Sequence, residues 1–254
     1  MKIIEFGTEN TDVIILLHGG GLSWWNYRDE ADLLKGNYHV VLPVLDGHAE
    51  SGISFSRIED NAKELIHYID ENFGGLVLAI GGLSLGAQTL VEMLSQRKDI
   101  CRFALIESAL VIPMPFTNAL ISPMFEMSYG IISNKKFAKL QFDTLKIKPD
   151  LFDDYYKDTC KIKKQDMINF LKANSSYKLK DSLKNTTAKV LVIAGGKEQQ
   201  KMIRSAKLLS EIILNSSLSI IDNYYHGELS LNHPEDYVNL ITQLIKGKKA
   251  VIKI

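Results

Sequence analysis

Ser84 is the residue whose sequence surroundings most clearly indicate chemistry. It lies at the centre of Gly82-Leu83-Ser84-Leu85-Gly86, between an apolar run and a segment with helical spacing. A chain that turns sharply from a strand into a helix needs small residues two places before and after the turn, and Gly82 and Gly86 meet that need. The pattern predicts a strained turn that presents the Ser84 hydroxyl as a nucleophile.

A second glycine-rich segment, His18-Gly19-Gly20-Gly21, follows the apolar run at residues 13–17. Glycines let backbone N–H groups come close to a reacting carbonyl. We expect the N–H groups of Gly20 and Leu85 to form an oxyanion hole, a pair of donors for the negative oxygen of a tetrahedral intermediate. The alternative is a flexible turn after a strand.

Four blocks of the sequence together resemble the α/β-hydrolase fold serine hydrolases of the carboxylesterase and lipase type, and the resemblance covers nearly the whole chain. They are His18 to Gly21, residues 43–51 (PVLDGHAES), the Ser84 pentapeptide and Tyr225-His226-Gly227-Glu228. Ala49 stands where the second block of the family usually has another glycine. The resemblance implies an α/β fold with a mostly parallel central sheet, flanking helices and a helical cap insertion.

The resemblance makes His226 the general base, because it lies in a loop between the last strand-like run and the helix near Pro234. A histidine titrating near neutrality can take the Ser84 proton and return it to the leaving group. His233 is the rival base. The other histidines are expected to shape glycine turns or to be structural or exposed: His18, His48, His39 and His67.

The third member of such a triad is a carboxylate that orients the imidazole. The chain order of the family, nucleophile then acid then histidine, puts it after the run at 189–194. There Gly195-Gly196-Lys197-Glu198 resembles the family's G-x-x-D turn, with glutamate for aspartate, and we expect Glu198 to be the acid. Glu107 is the alternative, because some family members place the acid one strand earlier, whereas Asp222 lies too close to His226 along the chain.

Trp24 and Trp25 follow the glycine-rich segment directly. They could line a substrate pocket or only pack the loop, and the sequence leaves both interpretations open. No P-loop, dinucleotide fingerprint or metal-ligand spacing is visible in the sequence, so we expect no cofactor and no metal.

The elements that position these residues follow from hydrophobic patterning. Nearly continuous apolar runs, typical of strands covered on both faces, lie at residues 13–17, 39–44, 76–80, 103–106, 189–194 and 218–221. Helical spacing occurs at 58–72, 87–97, 202–213 and 234–245. This alternation predicts a mostly parallel sheet between layers of helices.

The alternation fails between residues 112 and 185, where four prolines interrupt the chain and no comparable strand run occurs. We therefore predict an α/β-hydrolase core at 1–111 and 186–254, with a helical cap at 112–185. Apolar stripes in the cap are more often packing surfaces than substrate sites. They could face the core, a pocket or a second subunit, so the oligomeric state stays open.

The composition excludes several function classes. The 254 residues carry 30 basic and 30 acidic side chains, and this zero net charge does not favour a nucleic acid or an anionic membrane as a partner. Cys101 and Cys160 are too few and too far apart for a disulfide framework, and Glu5 interrupts any secretory signal. A cytoplasmic protein that acts on a small molecule is expected.

Together, the motifs predict a serine hydrolase that cleaves a small-molecule carboxylic ester through an acyl-enzyme on Ser84, with His226 as base. The same triad could act on a thioester, a lactone or the carbon–carbon bond of a diketone. A ligand-binding or partner-binding module with slow or vestigial hydrolysis is the alternative from a different class.

Overall fold

A computed structural model describes residues 1–248; the last six positions of the predicted core segment 186–254 lie outside the described residues. Its centre is a seven-stranded sheet in the order β1-β3-β2-β4-β5-β6-β7. The strands are β1 (Lys2–Phe6), β2 (Val13–Leu17), β3 (His39–Val44), β4 (Val77–Leu83), β5 (Cys101–Glu107), β6 (Lys189–Gly195) and β7 (Ser216–Ile221).

The six strands from β2 to β7 pair in parallel, and β1 pairs antiparallel with β3 at one edge. All six predicted strands are present, but β4 runs on through two glycines as far as Leu83, because Gly81 and Gly82 pair with Leu105 and Ile106 of β5. β1 was not predicted. It is partly exposed along its length, so it lacks the continuous apolar run by which the buried strands were recognised.

Helices follow or connect most of the strands. They are α1 (Arg28–Leu34), α2 (Ile58–Phe73), α3 (Leu85–Gln96), α4 (Pro115–Ser128), α5 (Lys135–Thr144), α6 (Phe152–Thr159), α7 (Lys164–Ser176), α8 (Gln200–Ile212), α9 (Glu228–Asn232) and α10 (Pro234–Ile245). The four helices predicted from spacing correspond to α2, α3, α8 and α10. The short helices α1 and α9 were missed, because seven and five residues hold too few turns for a periodic pattern.

The core lies on both faces of the sheet. Successive residues of β2 alternate between two apolar clusters, with Ile15 and Leu17 on the α2 and α3 side and Ile14 and Leu16 on the α1 and α10 side. Burial of each such side chain stabilises the fold by about 1.5–3 kcal/mol. Because both faces are filled, the carboxyl ends of the parallel strands are the open edge, where ligands bind in α/β folds.

Helices α4 to α7 form an insertion between β5 and β6. The side chains of Gln88 in α3 and Asn174 in α7 join it to the core through a 2.8 Å hydrogen bond. Pro123 was expected to interrupt the chain but lies inside α4. Because proline has no N–H, the carbonyl of Ala119 has no intrahelical donor. Both residues are exposed. Among residues 1–248 the structure has no helix long and apolar enough to cross a membrane.

Candidate active site

The turn that carries Ser84 is built as the glycine pattern predicts. Ser84 has φ 53° and ψ −109°, a conformation that L-residues rarely adopt, between the end of β4 and the start of α3. A Cβ on Gly82 would lie 2.7 Å from the Gly86 carbonyl carbon, and one on Gly86 would overlap the Leu17 carbonyl oxygen. Both positions therefore require glycine, because the atoms that a Cβ would meet belong to the backbone, which cannot move aside as a flexible side chain can.

The Ser84 hydroxyl faces a cavity of about 250 Å³, which the imidazole of His226 also lines. The backbone N–H of Ser84 donates to the Glu107 carbonyl at 2.9 Å, which ties the turn to the end of β5. No hydrogen bond joins Ser84 Oγ to another group of residues 1–248. The hydroxyl is therefore free to turn toward the imidazole or toward a bound molecule, and catalytic hydrogen bonds often tighten only on binding.

Glu198 is the carboxylate that contacts His226. Its Oε2 lies 2.8 Å from His226 Nδ1, which leaves Nε2 as the nitrogen available for proton transfer. The Glu198 side chain is fully buried, whereas that of His226 is 47% exposed. A buried carboxylate on one ring nitrogen fixes the tautomer and the orientation of the imidazole, which is the role of the acid in a triad.

The turn that carries Glu198 is held against the loop that carries His226. The N–H of Lys197 donates to the Tyr224 carbonyl at 2.9 Å, and the N–H of Gly195 donates to Glu198 Oε1 at 2.7 Å. A side chain on Gly195 would overlap the Tyr224 carbonyl oxygen, so only glycine lets the two segments approach this closely. The resulting geometry is set mainly by backbone contacts.

Ser108, the residue after β5, adds a contact that the sequence analysis missed. Its Oγ donates to Glu198 Oε1 at 2.8 Å and accepts from the N–H of Gly227 at 3.4 Å. It is buried and has φ 56°. No motif marks Ser108, but its place at the carboxyl end of a parallel strand was a usable signal, because such ends meet at one edge of the sheet.

The pKa values of His226 and Glu198 are shifted in the direction opposite to the one that burial alone would give. Burial alone would lower the pKa of His226, but the hydrogen bond and charge of Glu198, with a contribution from Glu107, raise it above the ordinary value. Burial alone would raise the pKa of Glu198, whereas the hydrogen bonds from His226, Gly195 and Ser108 hold it below its ordinary value. The pair therefore favours an ionised carboxylate beside an imidazole that accepts a proton readily.

Gly20 and Leu85, the predicted oxyanion-hole residues, lie next to each other. A Cβ on Gly20 would be 3.6 Å from the Cβ of Leu85. The N–H groups on either side of Gly20 are engaged, that of Gly19 with Asn26 Oδ1 and that of Gly21 with His48 Nε2. Leu85 is the first residue of α3, so its N–H has no acceptor inside the helix and lies at the positive end of the helix dipole.

Two buried histidines shape the glycine-rich loop, as the sequence predicted. His18 Nε2 accepts from the N–H of Leu45 at 3.0 Å, and His48 Nε2 accepts from the N–H of Gly21 at 3.0 Å. Burial lowers the pKa of both rings, that of His48 to about 4, so they act as neutral acceptors. Phe170 of α7 stacks on His48 with ring centroids 4.6 Å apart and brings the insertion against this loop.

Glu107, the alternative acid, occupies a different environment. Its buried carboxylate accepts a 3.4 Å hydrogen bond from the Ser230 N–H, and its Oε2 has no hydrogen-bond partner within residues 1–248. Burial raises the pKa of Glu107 to about 7. The structure thus brings Glu198, and not Glu107, into contact with His226.

The rival base His233 lies outside the cavity. It stacks on Tyr224 with centroids 4.8 Å apart, and its Nε2 lies 3.8 Å from Glu228 Oε1. The exposed Asp222 makes no contact with His226. His39 is half-buried 3.6 Å from Glu5, and His67 is exposed, as expected.

Trp24 and Trp25 are not among the residues that line the cavity, and their contacts are those of the packing interpretation. Trp25 is 2% exposed, and its Nε1 donates to Asp158 Oδ2 of α6 at 3.0 Å. Trp24 is only partly buried and packs against the apolar cluster on the α1 and α10 side. Both residues lie in the short 3-10 helix Trp24–Tyr27.

The cavity itself is mainly apolar at its walls. Its apolar side chains come from four places: the glycine-rich loop, the end of β4, the segment that follows α5, and helix α9. They are Leu22, Leu83, Leu145, Ile147 and Leu231. Lys197, Gln199, Thr144 and Tyr225 supply the polar lining. A larger groove of about 770 Å³ between α2 and α7 contains neither Ser84 nor His226. Residues 1–248 contain no group of three or more His, Cys, Asp or Glu side chains placed to hold a metal ion.

Comparisons with solved structures show the same architecture at low sequence identity. An esterase from Thermogutta terrifontis is 15% identical, with a TM-score of 0.78 over 97% of this chain and 93% of that one. The esterase EaEST from Exiguobacterium antarcticum is 16% identical, with a TM-score of 0.81 over 96% and 94%. An enol-lactonase from Burkholderia xenovorans LB400 is 14% identical, with a TM-score of 0.80 over 96% of each chain. These likenesses establish the fold.

A search of the curated proteins finds no match. A family model described as serine aminopeptidase, S33, matches residues 8–230 and so spans every residue of the candidate site. This chain is therefore a member of the serine aminopeptidase S33 family of α/β-hydrolase fold serine hydrolases.

Proposed function

We propose that this hydrolase cleaves a small carboxylic ester through an acyl-enzyme on Ser84. The observation that carries the proposal is the 2.8 Å contact between His226 Nδ1 and the buried Glu198 carboxylate, at a cavity that Ser84 also lines. A serine in a strained turn, a histidine and an acid that orients it make up the machinery of acyl transfer.

In the first half of the reaction, Ser84 Oγ attacks the ester carbonyl carbon while His226 Nε2 takes the hydroxyl proton. The Glu198 carboxylate stabilises the imidazolium that forms. Collapse of the tetrahedral intermediate breaks the bond to the leaving alcohol, which receives the proton from His226. The acyl group stays on Ser84 Oγ.

In the second half, a water molecule takes the place of the alcohol. His226 removes a proton from the water as it attacks the acyl carbon, and then returns that proton to Ser84 Oγ, so that the free acid leaves. The N–H groups of Gly20 and Leu85 hold the negative oxygen in both tetrahedral intermediates. Their placement supports this role, because Leu85 begins a helix and Gly20 lies beside it.

The size and lining of the cavity support a small substrate with an apolar acyl or alcohol group. A volume of about 250 Å³ is below the roughly 300–1,000 Å³ typical of sites for drug-sized ligands. Leu145 and Ile147, from the insertion, and Leu22 and Leu231, from the core, supply apolar lining to this space. Short-chain esters are therefore expected to be cleaved better than long-chain ones.

The acid assignment is tested by comparing Glu198→Gln with Glu107→Gln on short-chain p-nitrophenyl esters. We expect Glu198→Gln to lower kcat by roughly 10³–10⁴-fold, because an amide cannot stabilise the imidazolium. Glu107→Gln should keep most of the activity, since Glu107 does not contact His226. Loss of activity in Glu107→Gln with retention in Glu198→Gln would refute the assignment.

A ligand-binding module on this fold would give a different result. Such a protein would bind or be acylated once, without repeated product release, and candidate ligands would raise its thermal unfolding midpoint. Steady turnover by the wild type, at a rate well above that of the uncatalysed hydrolysis of the ester, distinguishes the enzyme from the module.

A further inference from the structure

The outer face of α4 carries an apolar stripe that continues into the 3-10 helix after it. Phe116 is 87% exposed, Leu120 57%, Met124 62%, Met127 89% and Ile131 47%. The intervals between them are four, four, three and four residues, so they share one side of the helix. We call these five residues the α4 stripe.

The opposite face of α4 is already packed. Ile121 is buried, and Asn118 Nδ2 donates to the Lys172 carbonyl and to Ser175 Oγ of α7, each at 2.8 Å. The inner face of α4 is thus already partnered, partly through polar contacts, whereas the α4 stripe is apolar and faces solvent. Contiguous apolar patches exposed to this extent mark interaction sites, which predicts that another surface covers the α4 stripe.

The chemistry of α4 favours a protein surface over a lipid one. Between residues 115 and 128 there is no lysine or arginine, whereas helices that lie on membranes carry them on the polar face. The one charged side chain of α4, Glu126, pairs with Lys164 of α7 at 2.6 Å. The stripe itself is uncharged, so two copies can approach without like-charge repulsion.

The area of the stripe fits the centre of an interface between two copies. Five large side chains exposed to this degree form a patch on the order of 500 Å², near the upper end for monomeric proteins. A stable interface takes about 800 Å² from each partner, with an apolar centre and a polar rim. The stripe supplies that centre, and the polar surface around it can supply the rim.

We propose that the α4 stripe is the two-fold interface of a homodimer. The two copies of α4 run antiparallel, so that Phe116 of each lies opposite Met127 of the other and Leu120 lies opposite Met124. This arrangement is isologous and closed, as in most soluble dimers. The insertion lines the cavity with Thr144, Leu145 and Ile147 and with no residue of α4, so the interface leaves the cavity free.

The test is the molar mass of the full chain by sedimentation velocity across the micromolar range. The wild type is expected to be a dimer, and Leu120→Glu and Met127→Glu are expected to be monomers. Leu214→Glu is the matched control, because Leu214 is 90% exposed in the segment between α8 and β7, outside the stripe. It should remain dimeric, and all three variants should keep the hydrolytic activity of the wild type.

A crosslinking experiment checks the geometry. In a Cys160→Ser background, which removes the exposed native thiol, Leu120→Cys should be joined into dimers by a short bismaleimide and Leu214→Cys should not. A monomeric wild type, or a dimer that survives both glutamate substitutions, overturns the proposal. Binding of a monomeric wild type to phosphatidylcholine and phosphatidylserine vesicles would overturn it in favour of a lipid surface.

Discussion

At the scale of single residues, Ser108 connects the parts of the candidate triad. Its hydroxyl contacts the Glu198 carboxylate and the backbone next to His226, while the carbonyl of its neighbour Glu107 accepts from the N–H of Ser84. A buried serine with φ 56° is strained, and such strain persists where the surrounding structure fixes it, often at functional sites. Ser108 is therefore a positioning residue for Glu198.

Removal of the Ser108 hydroxyl is expected to weaken catalysis without removing the nucleophile. Ser108→Ala should lower kcat/KM by roughly 10-fold to 100-fold, because a hydrogen bond to a charged group contributes about 1.5–3 kcal/mol. Ester kinetics and thermal unfolding of the two variants Ser108→Ala and Ser108→Gly measure this effect. Ser108→Gly should lose the same activity but be the more stable, since glycine adopts φ 56° without strain.

An effect on stability alone would contradict this role. Ser108→Ala that unfolds more readily but keeps the kcat/KM of the wild type would make Ser108 a purely structural residue. The acid limb of the pH profile gives a further check. The hydrogen bond from Ser108 lowers the pKa of Glu198, so its loss should raise that pKa. The acid limb should then move to higher pH if the hydroxyl acts through the acid.

The sequence could single out those candidate residues that local patterns mark. Ser84 has its glycines within two positions, and the loop of His226 follows a recognisable strand. Ser108 and Phe170 carry no such mark, because their roles depend on contacts with Glu198 and His48 far away along the chain. Their functions become visible only once the fold brings distant segments together.

At the scale of elements, the passage from β4 to α3 decides where Ser84 lies. The two glycines of the pentapeptide let α3 begin directly against β2, with Gly86 packed on the backbone of Leu17 and His18. The same packing places the start of α3 beside Gly20. Close contact between these elements is therefore a condition for an oxyanion hole.

Gly86→Ala is expected to disrupt this contact. Its Cβ would overlap the Leu17 carbonyl oxygen and lie 2.6 Å from that of His18, so β2 and α3 would have to separate. The cost should reach about 3 kcal/mol or more, at the upper end for overpacking. Gly36→Ala, which meets nothing within 4 Å, is the control and should not lower the thermal unfolding midpoint. Equal midpoints for the two variants would contradict the account.

Elements were predictable from sequence where they are long and buried. The strands β2 to β6 carry continuous apolar runs, and α10 was predicted with its observed bounds, because Pro234 begins it and its apolar residues recur at helical spacing. The edge strand β1 and the five-residue α9 have no such pattern. Their positions depend on pairing with β3 and on the turn at Gly227, which are tertiary contacts.

At the scale of the whole molecule, a buried acidic cluster beneath the site affects stability. Glu107 and Glu30 are both buried on the α1 and α10 side of the sheet, beside Tyr27 and Tyr237, whose tilted rings have centroids 5.3 Å apart. A side chain on Gly81 would overlap the Tyr237 hydroxyl, so the cluster reaches β4, the strand that leads into Ser84. Burial raises the pKa of both carboxyl groups.

The stability of the wild type is expected to fall as the pH rises from about 4.5 to about 7. In this window the folded state keeps a proton on Glu107, whose pKa is raised from 4.5 to about 7, while the unfolded state loses it. Ionisation therefore favours the unfolded state by roughly 3 kcal/mol over this range. Glu107→Gln, which cannot titrate, should weaken this dependence when urea unfolding is measured at a series of pH values, and Glu30 and Asp46, whose pKa values are also raised, should leave a part of it in place.

The control for this experiment is Glu71→Gln, because Glu71 is an exposed carboxyl on α2. It should keep the pH dependence of the wild type. A Glu107→Gln profile that parallels that of the wild type would contradict a protonated Glu107, and Glu30 would then be the carboxyl to replace.

The central claim is that Ser84 is an activated nucleophile, and labelling with a fluorophosphonate tests it most directly. We predict that the wild type is labelled at one site, that mass spectrometry places the label on Ser84, and that Ser84→Ala is not labelled. His226→Ala should be labelled far more slowly, because the hydroxyl then lacks its base. Failure of the well-folded wild type to react, or equal labelling of Ser84→Ala, would contradict the account.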